Sequence, residues 1–336
     1  MSAIRIRLAE DTDNEQLQAL AERCPQEGMI SFFPKRTPLF NSIHQLLDPE
    51  SWHYVASKED QIIGLLGVIH FFARIRGKTY KIAYLLDLKV DPSFRRGMTA
   101  IRLIRAAVEH IQGSDTDMVL VNFLKDNQRS LIFASGRGGL PKALCLGSNR
   151  VFNILPIRHM RVDPRFDVQL PSDKDIPEML GLYRKHASDY KIAPDYTEEL
   201  LSKYLNTING LSLKHFLLAR ENGKLKAVTA LWDAHIYKTY HVQKLSTGIG
   251  LATSFLRMLS PFMKVPAPVR LNQPLKQMSL VLHAHDDCPE ALDSLFRHAS
   301  NACRGSDYTM IMYYAQANDP MFRHVGRFPG VTVKSD

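Results

Sequence analysis

A short basic loop between an apolar run and a helical pattern is the part of this 336-residue chain best suited to ligand chemistry. Residues 85–90 form the apolar run and suit a buried strand. Arg95 and Arg96 follow it, and apolar residues then recur at helical spacing over residues 101–111. Free backbone N–H groups at a helix N-terminus, together with the helix dipole, bind anions. The loop therefore predicts a site for phosphate or pyrophosphate, with an ordinary strand–turn–helix carrying exposed arginines as the alternative.

The same stretch resembles the acyl-CoA loop of the GNAT acetyltransferase superfamily. The residues that carry the resemblance follow the family order of Val-x-Pro, an aromatic residue and a loop that opens a helix: Val90, Pro92, Phe94, Arg95 and Ala100. The family has a glycine at the position of Met98, and Gly97 stands one residue earlier. The resemblance implies that loop amides bind the CoA pyrophosphate and that the preceding strand pairs with the pantetheine arm. It implies these acyl-CoA-binding residues: Leu88, Lys89, Val90, Arg95, Arg96, Gly97, Met98, Thr99, Ala100 and Asn127.

The elements on either side of the loop follow the order of that family. Residues 53–57 and 62–75 are predicted strands separated by a turn, and residues 79–90 form the next strand. Residues 118–123 are a short β-rich run after the loop helix, and another helix is predicted to start over residues 127–133. In the family, the strand after the loop helix splays from its neighbour and makes the cleft for the acyl group.

Two acid or base side chains that are common in the family are missing. An Asn follows the splayed strand, as Asn127 does, but the Tyr expected seven residues later is Ala134 and the Glu expected five residues earlier is Asn122. The catalytic candidates are Asp87 and Tyr84, which lie on the strand before the loop. Burial would raise the pKa of Asp87 toward that of a useful base. An ion pair for Asp87 and a structural role for Tyr84 are the alternatives.

The second half of the chain repeats the first. Residues 113–118, GSDTDM, recur as residues 305–310, GSDYTM, at an offset of 192 residues. The order of predicted strands and helices around this hexapeptide agrees between the halves, which predicts a duplicated domain. At the same offset, Asp286 and Asp287 take the places of the aromatic residue and the arginine of the loop. Two carboxylates would repel a pyrophosphate, so the second copy is expected to have lost CoA binding.

The predicted fold class is α/β, with two tandem GNAT-like domains, each a mixed, mostly antiparallel central sheet flanked by helices. Residues 1–160 are assigned to an acyl-CoA-binding domain, residues 161–172 to a linker, and residues 173–336 to a degenerate GNAT-like domain. Within the second domain, residues 246–259 are expected to start a helical insertion. Residues 261–274, which contain four prolines, are expected to form a loop.

Composition restricts the classes of partner. The net charge of +9 suits an anionic ligand, but no lysine-rich tail or aromatic–basic alternation indicates nucleic acid. The sequence has neither an apolar run long enough to span a membrane nor a signal-peptide pattern, so we expect no membrane partner and a cytoplasmic location. The four cysteines lack metal-site spacing, so no metal is expected and the thiols are predicted to be reduced.

The favoured function is an acyl-CoA-dependent N-acyltransferase with its active site in the N-terminal half and acetyl-CoA, or another acyl-CoA, as cosubstrate. An amine, on a small molecule or a protein, would attack the thioester directly, and a strand amide near residues 88–90 would polarise the carbonyl. One alternative is a non-catalytic acyl-CoA sensor or interaction protein, because a cleft without acid or base can still bind. Another is an aminoacyl transferase resembling the Fem peptidyl transferases, which an intact acyl-CoA loop and the lack of a strongly basic face disfavour.

Overall fold

The computed structural model describes residues 3–124, 127, 132–259, 262 and 264–335. Its strands are β1 Arg5–Leu8, β2 Ile30–Arg36, β3 Trp52–Lys58, β4 Gln61–Ile75, β5 Lys78–Val90, β6 Met118–Val121, β7 Asn149–Ile154, β8 Asp167–Gln169, β9 Ala193–Pro194, β10 Phe216–Glu221, β11 Lys224–Trp232, β12 Lys238–Leu245, β13 Pro274–Leu275, β14 Gln277–His285, β15 Met310–Gln316 and β16 Gly330–Ser335. Its helices include α1 Asn14–Arg23, α2 Ser42–Leu47, α3 Thr99–Gln112, α4 Ile176–Ala187, α5 Glu198–Thr207, α6 Thr247–Leu259, α7 Pro289–Cys303 and α8 Met321–Val325.

The first compact unit consists of Met1–Leu146 and Tyr237–Lys244. Its main sheet has the order β1-β3-β4-β5-β6, in which only the β5–β6 pair is parallel. Because side chains alternate along each strand, the sheet buries one apolar face against α3 and the other against α1. Strand β12 pairs with β2 in this unit.

The second compact unit consists of Gly147–Ile236 and Leu245–Lys334. Its sheet has the order β16-β7-β15-β14-β11-β10-β8, with β14 and β15 parallel. Helix α7 packs into the core of this sheet through an apolar face that includes Leu292, Leu295 and Phe296. Strand β7 pairs antiparallel with β15, from Ile154 opposite Ile311 to Asn149 opposite Gln316. Residues 147–160, which the sequence assigned to the first domain, therefore contribute a strand to the second unit.

Most of the predicted elements are confirmed. The predicted hairpin of residues 62–75 and 79–90 is β4 and β5, and the helix expected within residues 246–259 is α6. Strand β2 and helices α2 and α5 were not predicted, and residues 128–131 of the helix predicted after β6 lie outside the described residues. Across the residues that the structure describes, no helix combines the length and apolarity needed to cross a membrane.

Candidate active site

Strand β5 of the first unit extends beyond the end of its parallel neighbour, β6. The pairing of β5 with β6 begins at Ile82 opposite Met118 and ends at Leu85 opposite Val121. Strand β5 continues to Val90, five residues beyond that last pair. The edge of β5 beyond Leu85 offers backbone N–H and C=O groups to an extended ligand, in the manner of an added strand. The pairing of β5 with β6 thus ends where the two strands were expected to part.

A β-bulge lies within the extended end of β5. Leu86 pairs with Gly67 and Lys89 pairs with Leu65, so Asp87 and Leu88 together face a single residue of β4. Asp87 has a positive φ of 56°, a backbone conformation that few residues other than glycine adopt. Bulges of this kind redirect side chains and occur often next to active sites.

A buried carboxylate anchors the start of the loop that follows β5. The backbone N–H of Asp91 donates to the carbonyl of Ile63 across 2.8 Å. Its side chain accepts from the backbone N–H of Ser93 at 3.0 Å and from Arg23 Nε at 2.6 Å. The loop therefore leaves the sheet in a defined direction, toward the first turn of α3.

The candidate pyrophosphate loop is exposed, and the first turn of α3 opens toward it. Its exposed residues are Arg95, Arg96, Gly97 and Met98. Arg95 folds back so that its Nε donates to the carbonyl of Val90 at 3.0 Å. No side chain caps α3 at Met98, and the buried Thr99 hydroxyl has no hydrogen-bond partner. Backbone amides of the first helical turn have no partner within the helix, so they remain available for an anion here.

Gly64 brings the start of α3 close to the sheet. A Cβ atom at this position of β4 would lie 3.0 Å from Leu103 Cδ1 and 3.2 Å from Thr99 Cγ2. Both distances are shorter than ordinary van der Waals contact, so only glycine allows the helix to approach this closely. The packing places the helix N-terminus beside the end of β5, because Gly64 pairs with Val90.

Asp87 points into a buried polar cluster. Its Oδ2 lies 2.6 Å from Arg36 Nη2 and 3.7 Å from His44 Nε2. His44 Nδ1 in turn lies 2.7 Å from His53 Nε2, and the two imidazole rings stack. The Arg36 guanidinium also lies over the ring of Phe40, 4.4 Å from its centre. The ion pair that was the alternative for Asp87 is therefore present.

The cluster sets the protonation of its members. Burial raises the pKa of Asp87, but the charge of Arg36, with smaller contributions from His44 and Lys89, outweighs it and keeps that pKa well below its usual range. The expected rise is thus wrong, because Arg36, which is distant from Asp87 in the sequence, pairs with its carboxylate in the fold. Burial, followed by the charge of Arg36, lowers the pKa of His44 to about 3. Burial also lowers the pKa of His53 to about 4, so both imidazoles are neutral at pH 7.

The remaining predicted residues lie on β5 or after β6. The Tyr84 side chain is hydrogen-bonded to that of Asn122, and burial raises the pKa of the Tyr84 phenol. Asn127 is exposed, and its backbone N–H donates to the carbonyl of Leu124 at 2.8 Å. Ala134, at the position of the family's Tyr, lies in a helical turn. Tyr84 and Asp87 thus share one strand, while Arg36 and His53, which complete the polar cluster, were not identified from the sequence as site residues.

The second unit repeats the bulged strand without the loop. Leu282, with a φ of 48°, lies in the bulge of β14, which continues five residues beyond its last pair with β15. The N–H of Asp286 donates to the carbonyl of Lys226 at 2.8 Å, as Asp91 does to its own neighbouring strand. Asp286 therefore corresponds to Asp91, and the alignment at an offset of 192 is wrong here. Helix α7 begins three residues after Asp286, which leaves no room for a pyrophosphate loop.

The carboxylates that follow β14 have partners of their own. Asp286 forms ion pairs with Lys185 and, at 3.1 Å, with Lys226. Asp287 lies 2.7 Å from the same Lys185. These contacts bind the end of β14 to α4 and β11 within the second unit.

Comparisons with known proteins agree with this geometry. Residues 5–121 match the family model described as acetyltransferase (GNAT) domain. Residues 5–121 therefore form a GNAT domain, which lies in the first unit. No curated protein matches the sequence.

Solved structures share the fold over the whole chain. A Saccharomyces cerevisiae N-myristoyltransferase with bound myristoyl-CoA is 11% identical, with a TM-score of 0.65 over 100% of this chain and 78% of its own. A GCN5-related N-acetyltransferase from Anabaena variabilis is 13% identical, with a TM-score of 0.52 over 99% of this chain and 72% of its own. The protein thus has a GNAT acyltransferase fold with two tandem GNAT-like domains, as predicted.

Proposed function

We propose that this protein is an acyl-CoA-dependent N-acyltransferase whose active site lies in the first unit and whose cosubstrate is acetyl-CoA. The observation that carries the proposal is the continuation of β5 past its last pair with β6, directly into the loop that feeds α3. The open strand edge suits the pantetheine arm, and the loop amides and arginines suit the pyrophosphate. The cofactor-binding residues assigned from the resemblance lie along this edge and loop, except Asn127, which follows β6.

In the proposed reaction the lone pair of a neutral amine attacks the carbonyl carbon of the thioester. The C–N bond forms, the C–S bond breaks, and CoA leaves as a thiolate while the nitrogen loses a proton. A backbone N–H of residues 88–90 would stabilise the oxyanion. Asp87, ionised but weakly basic, is the candidate to receive the proton, directly or through water. Tyr84, whose raised pKa keeps its phenol protonated, could relay the proton to the thiolate by accepting it while donating its own. Positioning of the amine beside the thioester would supply much of the rate.

Calorimetric titration with acetyl-CoA and with free CoA tests the binding step. Arg95→Glu combined with Arg96→Glu should abolish binding, because two anions would replace two cations beside the pyrophosphate. Arg74→Glu with Arg76→Glu is the matched control, since it makes the same charge change on exposed residues at the opposite end of β5. Failure of the unaltered protein to bind either ligand would overturn the proposal. Titration with a long-chain acyl-CoA would show whether acetyl is the preferred group.

The second candidate is a non-catalytic acyl-CoA sensor. It is supported by the ion pair that holds Asp87 and by the alanine at the position of the family's Tyr. Release of free thiol from acetyl-CoA during a screen of small amines and peptides separates the two candidates. An enzyme releases CoA in the presence of its acceptor, whereas a sensor binds acetyl-CoA and leaves it intact with every amine offered.

A further inference from the structure

Helix α6 presents an apolar face to solvent. Leu251, Phe255 and Met258 are 69%, 57% and 62% exposed, and Phe262, just beyond the helix, is 85% exposed. The spacing of the first three residues places them on one side of the helix.

Thr253, which falls on the opposite side, is 7% exposed. Ile249 and Leu256 share the side of Thr253 and are half-buried. The helix therefore rests on the protein through these three side chains and turns three other large apolar side chains outward.

The sequence around α6 has an unusual charge pattern. Residues 234–285 contain no aspartate or glutamate and six cations: Lys238, Lys244, Arg257, Lys264, Arg270 and Lys276. Arg257, Lys264 and Arg270 are exposed, and Lys276 forms an ion pair with Asp307. A solvent-facing apolar surface in a segment that has cations but no carboxylates is complementary to a surface that is both apolar and anionic.

We propose that α6 and residue 262 bind the protein to the surface of an anionic phospholipid bilayer. The apolar side chains would enter the boundary between headgroups and acyl chains, and the exposed cations would lie at the level of the phosphates. Helices of this kind lie in the plane of the interface, and their binding rises with apolar area and with anionic lipid. This inference differs from the expectation of no membrane partner. That expectation rested on the lack of a membrane-spanning apolar run and of a signal-peptide pattern, and neither is needed for binding at the membrane surface.

The arrangement favours lipid over a second protein. Each cation close to an anionic leaflet is attracted by the surface potential, and the attraction falls off within the screening length of the salt. A protein partner would need its own acidic surface beside an apolar groove. A symmetric contact between this face and the same face of a second copy could not satisfy that need, because residues 234–285 contain no carboxylate. The proposal therefore predicts binding that requires both anionic lipid and the apolar face.

Flotation of the full chain with vesicles tests the proposal. The protein should float with vesicles of phosphatidylcholine and phosphatidylglycerol in equal parts and stay behind with phosphatidylcholine alone. Phe255→Ser with Met258→Ser should lower the bound fraction at least roughly tenfold, because two large apolar side chains leave the interface. Lys264→Gln with Arg270→Gln should weaken binding by roughly fivefold for each cation, and added salt should do the same to the unaltered protein.

Phe72→Ser is the matched control, because Phe72 is 59% exposed on β4 of the other unit. It should float like the unaltered protein. The proposal is overturned if the unaltered chain does not float with the anionic vesicles, or if both α6 and cation variants float as well as Phe72→Ser. It is also overturned if the apolar face instead supports a concentration-dependent dimer without lipid that the α6 variant abolishes. None of these measurements depends on acyl-CoA binding.

Discussion

Arg36 and Asp87 form an ion pair with a separation of 2.6 Å, and the side chains are only 7% and 14% exposed. The pair fixes the side chain of Asp87, in the bulge of β5, to Arg36 at the end of β2. Because water is largely excluded, either charge would be uncompensated if its partner were removed. The bulge therefore derives its side-chain orientation from a residue that lies far from it in the sequence.

Replacement of one member of this pair should destabilise the protein strongly. Asp87→Asn should lower the free energy of unfolding by about 3–5 kcal/mol, since the Arg36 charge stays buried without a partner. Urea denaturation followed by circular dichroism measures the change. Asp115→Asn is a matched control, because Asp115 pairs with Lys81 at the same distance of 2.6 Å but is 76% exposed. The control should change stability little, and similar losses in both variants would contradict the prediction.

Removal of both charges should be less harmful than removal of one. Arg36→Met with Asp87→Leu leaves no buried ion, so its free energy of unfolding should exceed that of either single variant. A double variant that is no more stable than the single variants would argue against a strong pair. The same double variant tests the role of Asp87 in the reaction. If Asp87 accepts the proton, the double variant should bind acetyl-CoA but lose acyl transfer. Retained transfer would assign the proton to water or another group.

Stability should fall as the pH decreases from about 6.5 to about 4. The folded-state pKa values of His44 and His53 are about 3 and 4, below the ordinary value of 6.5. Between these limits the unfolded chain binds protons that the folded protein does not, so acid favours unfolding. The same direction holds for His186 and His283 of the second unit, whose pKa values burial lowers to about 4.

The low pKa of Asp87 predicts a further loss of stability at pH values below those at which the histidines titrate. Because its folded-state pKa lies below the ordinary 3.8, its stabilising contribution is present above that pH and is lost as the pH falls further. Thermal unfolding midpoints measured from neutral pH to about pH 4 check the contribution of the histidines, and a further fall of the midpoint below about pH 4 checks that of Asp87. His44→Gln with His53→Gln should flatten the dependence, since glutamine does not titrate. A midpoint that is constant over this range in the unaltered protein would contradict the proposed neutrality of the imidazoles.

Gly64→Ala should strain the packing between β4 and α3. The new Cβ would meet Leu103 at 3.0 Å and Thr99 at 3.2 Å, and overpacking of this kind costs about 1–3 kcal/mol. Because Thr99 begins α3, acetyl-CoA affinity should fall as well. Gly28→Ala is the control, since its nearest neighbour would be the Ile30 carbonyl at 3.5 Å. Equal unfolding midpoints for the two variants would show that the helix start can move without cost.

Local patterns explain what could be predicted from the sequence. Period-two apolar runs and turn residues mark β4, β5, β10 and β11, and the spacing of apolar residues marks α3. The loop of Arg95 and Arg96 could be located because a helix N-terminus and its flanking charges are adjacent in sequence. All of these signals lie within a few residues of the elements that they predict.

What could not be predicted depends on contacts between distant residues. The low pKa of Asp87 comes from Arg36, which is separated from it by several elements, and no spacing rule links the two. The alignment of Arg95 with Asp287 assumed a constant offset, but the shorter connection before α7 changes it. The placement of β7 beside β15 likewise follows from pairing across almost half of the chain.

Strand β12 lies in the second half of the sequence but belongs to the first unit, and β7 lies before residue 160 but belongs to the second unit. This arrangement has a practical consequence for cutting the protein into fragments. A single cut after Leu146 would leave the first unit without β12, the partner of β2. A cut after residue 160 would add β7 to a fragment in which its partner β15 is absent. Neither half is therefore a complete folding unit as one continuous piece. Expression of the halves separately should yield insoluble or incomplete fragments, and activity assigned to either half must be measured by point substitution or by complementation of the two fragments.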